Sequence, residues 1–190
     1  MQSGTQPKIL LASGSPRRKE LLEQLGYQFS IIRTDVEEQR QRDESPLEYV
    51  TRLSQDKALA GLHIENNAIV IGSDTIVVCD QTVLEKPQDY EHSKQMLMQL
   101  SGRSHQVMTA VTVVSKEQQE TVVVTTDVWF KPLSEQEIKL YWQSGEPCDK
   151  AGSYAIQGIG GRFVTRIEGS YHAVVGLPLF ETDCLLNKFI

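Results

Sequence analysis

The chain has 190 residues, 39% of them hydrophobic and 23% charged, with a formal net charge of −6. That length fits one domain, or one domain with two lobes, and the acidic balance argues against broad, sequence-independent nucleic-acid binding, which needs a basic face. No apolar run approaches a membrane span, and the polar stretch Met1 to Lys8 lacks the apolar centre of a signal peptide.

Ile9 to Ala12 has the character of a strand. Ser15 then suits an N-cap and Pro16 the first position of a helix, in which Leu21, Leu22 and Leu25 recur at helical spacing before Gly26 stops it. Gln28 to Thr34 is strand-like and leads into a charged loop, Asp35 to Glu44. Ser45-Pro46 opens a helix to Ala60, with Val50, Leu53 and Ala58 facing inward and Gly61 as its end. Ala68 to Cys79 is strand-like but interrupted by Gly72-Ser73-Asp74-Thr75. Asp89 caps a helix to Leu100, and His105 to Val114 pairs with Thr121 to Phe130 as a hairpin across Ser115 to Glu120. Ser134 with Glu137 makes a capping box for a helix to Gln143. The glycine-rich stretch Gly152 to Gly161 leads to a strand at Phe163 to Ile167, and Leu177 to Phe189 forms the last helix. Strands mixed with helices, without strict alternation, predict an α/β fold with a mixed β-sheet and flanking helices.

The three cysteines, Cys79, Cys148 and Cys184, are far apart, which fits reduced thiols in a cytoplasmic protein. The four histidines form no zinc-type spacing, so a bound metal would be held by carboxylates and be magnesium or manganese.

Arg17 and Arg18 fall in the first turn of the first helix, where the helix dipole favours anions by about 0.3–1 kcal/mol per charge. A bound phosphate would resolve that conflict, since free N–H groups and two guanidinium groups would all point at it; two solvated surface arginines are the alternative. Asp74 lies between Ala68-Ile69-Val70-Ile71 and Ile76-Val77-Val78. It is either a carboxylate at the end of a buried strand, with Gly72 leaving open space beside it, or part of a tight turn joining two strands. Glu38, in the acidic pair Glu37-Glu38, could join Asp74 as a metal ligand or simply be solvated. Lys57 breaks the apolar side of its helix, Lys86 precedes Pro87, and each lysine alone, like Arg52, is an ordinary surface cation. Gly158, Gly160 and Gly161 would let backbone approach a ligand, yet no helix opens there as a dinucleotide fingerprint requires. No P-loop motif and no nucleophile elbow around Ser170-Tyr171-His172 is present, and His172 fits a structural histidine.

In combination these segments resemble the Maf family. Leu11-Ala12-Ser13-Gly14-Ser15-Pro16-Arg17-Arg18, Glu37-Glu38, Arg52-Leu53 with Lys57-Ala58, Gly72-Ser73-Asp74-Thr75 and Glu85-Lys86-Pro87 follow in the order seen in Maf proteins. Asp149-Lys150-Ala151-Gly152, Gln157-Gly158 and Val175-Gly176-Leu177-Pro178 continue the pattern almost to the C-terminus. The resemblance implies a single Maf-like domain over residues 1–190, elongated and two-lobed with a central cleft, similar in fold to the inosine triphosphate pyrophosphatases. It also implies a cytoplasmic, commonly dimeric enzyme.

The resemblance implies hydrolysis of a nucleoside triphosphate between its α- and β-phosphates, giving the monophosphate and pyrophosphate. Asp74 would be the proton acceptor for the attacking water, and Glu38 and Asp74 would hold a divalent cation, magnesium or manganese. Ser13, Arg17, Arg18, Lys57 and Lys86 would neutralise the triphosphate. Within the family, Arg17, Thr75 and Gln157 match the dTTP/UTP pyrophosphatase subgroup, where the 7-methyl-GTP subgroup carries tryptophan, glutamine and glutamate. A glutamine amide both donates and accepts, which suits the adjacent carbonyl and N–H of uracil or thymine. The alternatives are the same chemistry on 7-methyl-GTP or another modified nucleotide, or a nucleotide sensor without turnover that regulates cell division. No nucleic-acid or membrane partner is expected.

Overall fold

Local capping sets where the helices begin. In the computed structural model, which describes residues 7–190, Ser15 accepts the Arg18 N–H at 3.4 Å at the head of α1 (Pro16–Gln24). Ser45 and Glu48 form a reciprocal capping box on α2 (Pro46–Ile64). Asp89 takes the His92 N–H at 2.8 Å on α3 (Tyr90–Leu100), and Ser134 with Glu137 caps α4 (Glu135–Gln143). Each cap satisfies a donor that the first helical turn leaves open, a contribution of roughly 1 kcal/mol. Two short helices, α5 (Tyr171–Val175) and α6 (Leu179–Leu186), close the chain. The polar segment noted at Met1 to Gln6 lies outside the described residues.

The strands are β1 (Ile9–Leu11), β2 (Phe29–Ile31), β3 (Ile69–Cys79), β4 (Thr82–Leu84), β5 (Ser104–Val114), β6 (Gln119–Phe130) and β7 (Val164–Glu168). They hydrogen-bond in the order β2-β1-β3-β5-β6-β7, with β4 paired to β3. β1 runs parallel to β2 and β3, whereas β3–β4 and β6–β7 are antiparallel, so the sheet is mixed as expected.

Three local expectations need correction. The Gly72-Ser73-Asp74-Thr75 segment does not interrupt its strand: β3 runs unbroken from Ile69 to Cys79, because pairing with neighbouring strands overrides the turn preference of those residues. Gly61 does not end α2, which continues to Ile64; the residue is buried inside the helix where Val70 crowds it. The segment Leu177 to Phe189 holds only the eight residues of α6, and the five-residue α5 before it carried no periodic signal.

The chain divides into two compact units, and β3, β5 and β6 contribute residues to each. The first contains the residues up to Asp74, Ala110–Val123 and Gly176–Ile190. Its core joins Leu10, Ala12, Ala58, Val70 and Val114. Here α2 lies directly on β3. A Cβ at Gly72 would sit on the Ser54 carbonyl oxygen, 2.5 Å from Ala58 N and 2.9 Å from Ala58 Cβ. The space expected to be open beside Asp74 is therefore filled by helix backbone, and only glycine permits that approach.

The second unit, Thr75–Thr109 with Val124–Val175, is built on a larger cluster that includes Leu97, Leu100, Val128, Phe130, Ile138, Tyr141 and Phe163. His105 is buried in it, with Nε2 at 2.7 Å from the Tyr154 hydroxyl and its ring edge-on to Phe130. Its Nδ1 has no hydrogen-bond partner among the described residues. Burial, with a smaller push from Arg103, lowers the His105 imidazole from 6.5 to about 4.

Two consequences are measurable. A Gly72→Ala protein should lose about 1–3 kcal/mol in urea unfolding through overpacking against backbone. Gly14→Ala, where an added Cβ meets nothing within 4 Å, serves as the neutral control. For His105, the unfolded chain binds a proton near pH 6.5 that the folded chain refuses until about pH 4. Stability therefore rises with pH across that window and is lost as pH falls through it. Unfolding free energy measured from about pH 6.5 down to about pH 5 should decline more steeply for the wild type than for a His105→Gln protein.

Candidate active site

The first unit holds six of the site residues singled out in the sequence, Ser13, Arg17, Arg18, Glu38, Lys57 and Asp74. β1 ends at Leu11, and the Ala12 N–H still bonds Ile71 O at 2.8 Å, so the turn Ser13-Gly14-Ser15 begins beside Gly72-Ser73-Asp74 of β3. Ser13 Oγ accepts the Ser15 N–H at 3.2 Å and shapes that turn. Arg17 and Arg18 follow Pro16 in the first turn of α1, which carries no acidic residue there.

Lys57 is the centre of the cluster. It projects from the face of α2 that packs on β3, where the absence of a side chain at Gly72 lets the helix come close. Its Nζ lies 2.7 Å from Asp74 Oδ1 and 2.9 Å from Glu38 Oε1. The Lys57 and Asp74 side chains are only 12% and 9% exposed, so this is a largely desolvated ion pair, while Glu38 is 43% exposed and keeps contact with solvent. Asp74 thus lies in mid-strand with a cation against it, as a buried carboxylate requires.

Glu38 comes from an irregular loop, and two α2 side chains hold that loop in place. The Tyr49 hydroxyl donates to Glu38 O at 3.2 Å. Arg52 grips Glu44 with Nε to Oε1 at 2.6 Å and Nη2 to Oε2 at 3.0 Å, and also donates to Gln39 O at 2.9 Å. The Arg52 hydrogen bond holds the Glu44 carboxyl below its ordinary range against the opposing effect of burial. Arg52 is thus a fastener for the Glu38 loop.

Arg18 is crowded by protein atoms, and this pulls its guanidinium below the usual arginine value. Asp74 opposes that pull, Arg17 adds to it, and Glu38 again opposes it. Arg18 Nε donates to Gly176 O at 2.8 Å, and Ser73 Oγ donates to the same oxygen at 3.1 Å. The sequence reading did not identify Ser73 and the Gly176 carbonyl as the groups that aim Arg18. The only signal was that both residues lie in segments matching the family pattern.

Thr75, Lys86 and Gln157 belong to the second unit. Thr109 Oγ1 donates to Ala173 O at 2.6 Å, so the Thr75 hydroxyl, 2.9 Å from Thr109 Oγ1, gives its proton to Thr109. Lys86 is exposed just after β4, before the buried Pro87. Gln157 is exposed in the glycine-rich loop.

Among the described residues no group of three or more His, Cys, Asp or Glu side chains comes together to hold a metal. Glu38 and Asp74 share one ammonium and so form a two-carboxylate donor set. That set fits magnesium or manganese bound with help from substrate phosphates, and it does not fit an all-protein cage.

The chain matches the model of the family described as Maf-like protein over residues 8–189. It is 69% identical over 183 residues to a Vibrio parahaemolyticus protein named dTTP/UTP pyrophosphatase, covering 96% of this chain and 97% of that one. It is 68% identical to a Vibrio cholerae protein of the same name, covering 96% and 98%, and 55% identical to one from Shigella sonnei, covering 95% and 92%. With the family pattern matched nearly end to end and Asp74, Lys57 and Glu38 joined in one cluster, this chain belongs to the Maf family.

Proposed function

We propose that the chain is a nucleoside triphosphate pyrophosphatase that hydrolyses dTTP and UTP to the monophosphate and pyrophosphate. The observation that carries this reading is the largely buried Asp74–Lys57 pair, joined by the exposed Glu38 and near Arg18 of the Ser13–Arg18 turn. The name shared by the relatives at 55–69% identity supports the choice of substrate.

In this mechanism Asp74 takes a proton from water as the water is added across the α–β anhydride, and pyrophosphate leaves. Lys57 fixes the orientation of the Asp74 carboxylate through Oδ1. Ser13, Arg17, Arg18, Lys57 and Lys86 stabilise the negative charge that develops on the phosphate oxygens, where fixed cations need no reorganisation. Glu38 and Asp74 would hold a magnesium or manganese ion, which supplies further phosphate neutralisation and lowers the pKa of bound water. Arg17, Thr75 and Gln157 select the base. A cytoplasmic setting and a homodimeric state complete the proposal. The free thiols Cys79, Cys148 and Cys184 fit a reducing compartment, and among the described residues no helix is long and apolar enough to cross a membrane.

Replacing Asp74 by Asn keeps the shape of the side chain and removes the base. Turnover of dTTP should fall by about 10²–10⁴, far more than nucleotide binding weakens. An Asp74→Asn protein that releases pyrophosphate at the wild-type rate would overturn the assignment. Substrate choice is read from a nucleotide panel assayed for pyrophosphate release with magnesium. dTTP and UTP should exceed 7-methyl-GTP in kcat/KM. The reverse order would move the chain to the other subgroup, and binding without turnover of any nucleotide would make it a sensor.

A further inference from the structure

A glutamine amide presents a donor and an acceptor that exchange places when the group flips, so Gln157 alone discriminates poorly between bases. Thymine and uracil offer a carbonyl acceptor where cytosine offers an amino donor, and an amide free to turn satisfies either. Holding the backbone that carries Gln157 does not stop that rotation, but it sets the position and approach of the amide and so limits which base edges the amide can meet.

The second unit contains a device of that kind. Tyr141, on α4 and fully buried, donates its hydroxyl proton to Glu146 Oε2 and accepts the Ala155 N–H at 3.1 Å. Glu146, half-buried at the start of a 3₁₀ turn over Glu146–Asp149, accepts the Ile159 N–H on Oε1 at 2.8 Å. Its Oε2 accepts the Gly160 N–H at 2.9 Å. These bonds fall on both sides of Ile156-Gln157-Gly158. The loop closes on itself through the Gly158 N–H to Ala155 O at 3.2 Å.

The glycines follow from the same contacts. A Cβ at Gly158 would overlap Glu146 Oε1, and one at Gly160 would fall 2.6 Å from the Tyr141 hydroxyl. The room left by these residues is taken by the Tyr–Glu pair. An exposed loop could satisfy its amides with water; here they are satisfied by a half-buried carboxylate. Burial pushes the Glu146 carboxyl up, but the bonds from Tyr141, Gly160 and Ile159 and the nearby charge of Lys150 outweigh it and hold the group below its ordinary value.

We propose that Tyr141 and Glu146 form a clamp that presets Gln157 for base selection, acting as positioning residues for the loop. The inference rests on the dTTP/UTP reading above. Preorganisation of this sort acts on recognition, because a loosened loop must be ordered again each time substrate binds.

The test compares wild type, Glu146→Gln and Tyr141→Phe in steady-state turnover of dTTP and dCTP, with amide hydrogen exchange at Ile159 and Gly160. Glu146→Gln keeps the shape but sets an NH₂ group against at least one of the N–H or O–H donors. It should raise the KM for dTTP about tenfold, leave kcat within about threefold and reduce the preference for dTTP over dCTP about tenfold. Exchange at the two amides should accelerate. Tyr141→Phe releases Ala155 but keeps the two carboxylate bonds, so it should shift KM and preference in the same direction by less. It carries the test if Glu146→Gln fails to fold. A folded variant with wild-type KM and base preference overturns the clamp, as does a fall in kcat alone with preference unchanged. A wild-type protein that releases no pyrophosphate from dTTP or UTP overturns the functional reading itself, a result distinct from an active enzyme indifferent to Glu146.

Discussion

The ammonium of Lys57, held 2.7 Å from Asp74 and 2.9 Å from Glu38, constrains the rest of the first unit. Desolvating such ions costs several kcal/mol each, and their mutual attraction repays this only with close geometry; removal of one partner typically costs about 3–5 kcal/mol. The three charges come from three separate elements, α2, β3 and the loop before α2, so all three must keep their register. Gly72 provides the helix–strand approach, and Arg52 with Tyr49 keeps the loop from drifting. A well-packed apolar pair in place of the largely buried Lys57 and Asp74 would stabilise the fold about as well. The charged arrangement is better explained by chemistry than by stability.

Both units use the same device at their irregular segments. The Glu38 loop is held by a guanidinium that takes a carboxylate and a backbone carbonyl, and the Gln157 loop by a carboxylate that takes two backbone amides. In each case the side chain proposed to meet substrate takes no part in the fastening, which is done by a neighbouring side chain, Arg52 on α2 or Glu146 on its 3₁₀ turn. Irregular backbone has unpaired polar groups that must be satisfied somewhere. Satisfying them with charged side chains fixes a loop without covering it in apolar bulk.

Much of this architecture is legible locally. Ser15, Ser45, Asp89 and Ser134 announce their helices because a cap and its N–H partner lie three residues apart. The hairpin of β5 and β6 is equally local. What failed was long-range. Gly72-Ser73-Asp74-Thr75 has the composition of a turn, and only pairing with β1 and β4 on either side of it makes β3 continuous. Gly61 has the composition of a helix end, and only its contact with Val70 explains why it is internal. The candidate site residues stand out only through the order of the motifs; their individual neighbourhoods are uninformative. Tyr141, Glu146, Ser73 and Gly176 went unrecognised because each acts through a contact with residues distant in sequence or through a backbone atom.

The start of α1 shows why the charge there is not simply misplaced. Arg17 and Arg18 occupy the positive end of a helix, at a cost of about 0.3–1 kcal/mol per charge, and burial adds to the cost for Arg18. Asp74 and Glu38 act in the opposite sense, and the Gly176 carbonyl fixes the direction of the guanidinium. The same two carboxylates also hold Lys57. In the proposed reading an arriving polyphosphate would meet Lys57 and Arg18 already ordered near Asp74 and Glu38. The carboxylates that balance those cations are the same groups proposed to hold a divalent ion and, for Asp74, to take the proton from water. Lys57 and Arg18 are each balanced by Asp74 and Glu38, which is how two cations this close to one another persist in the absence of an anion.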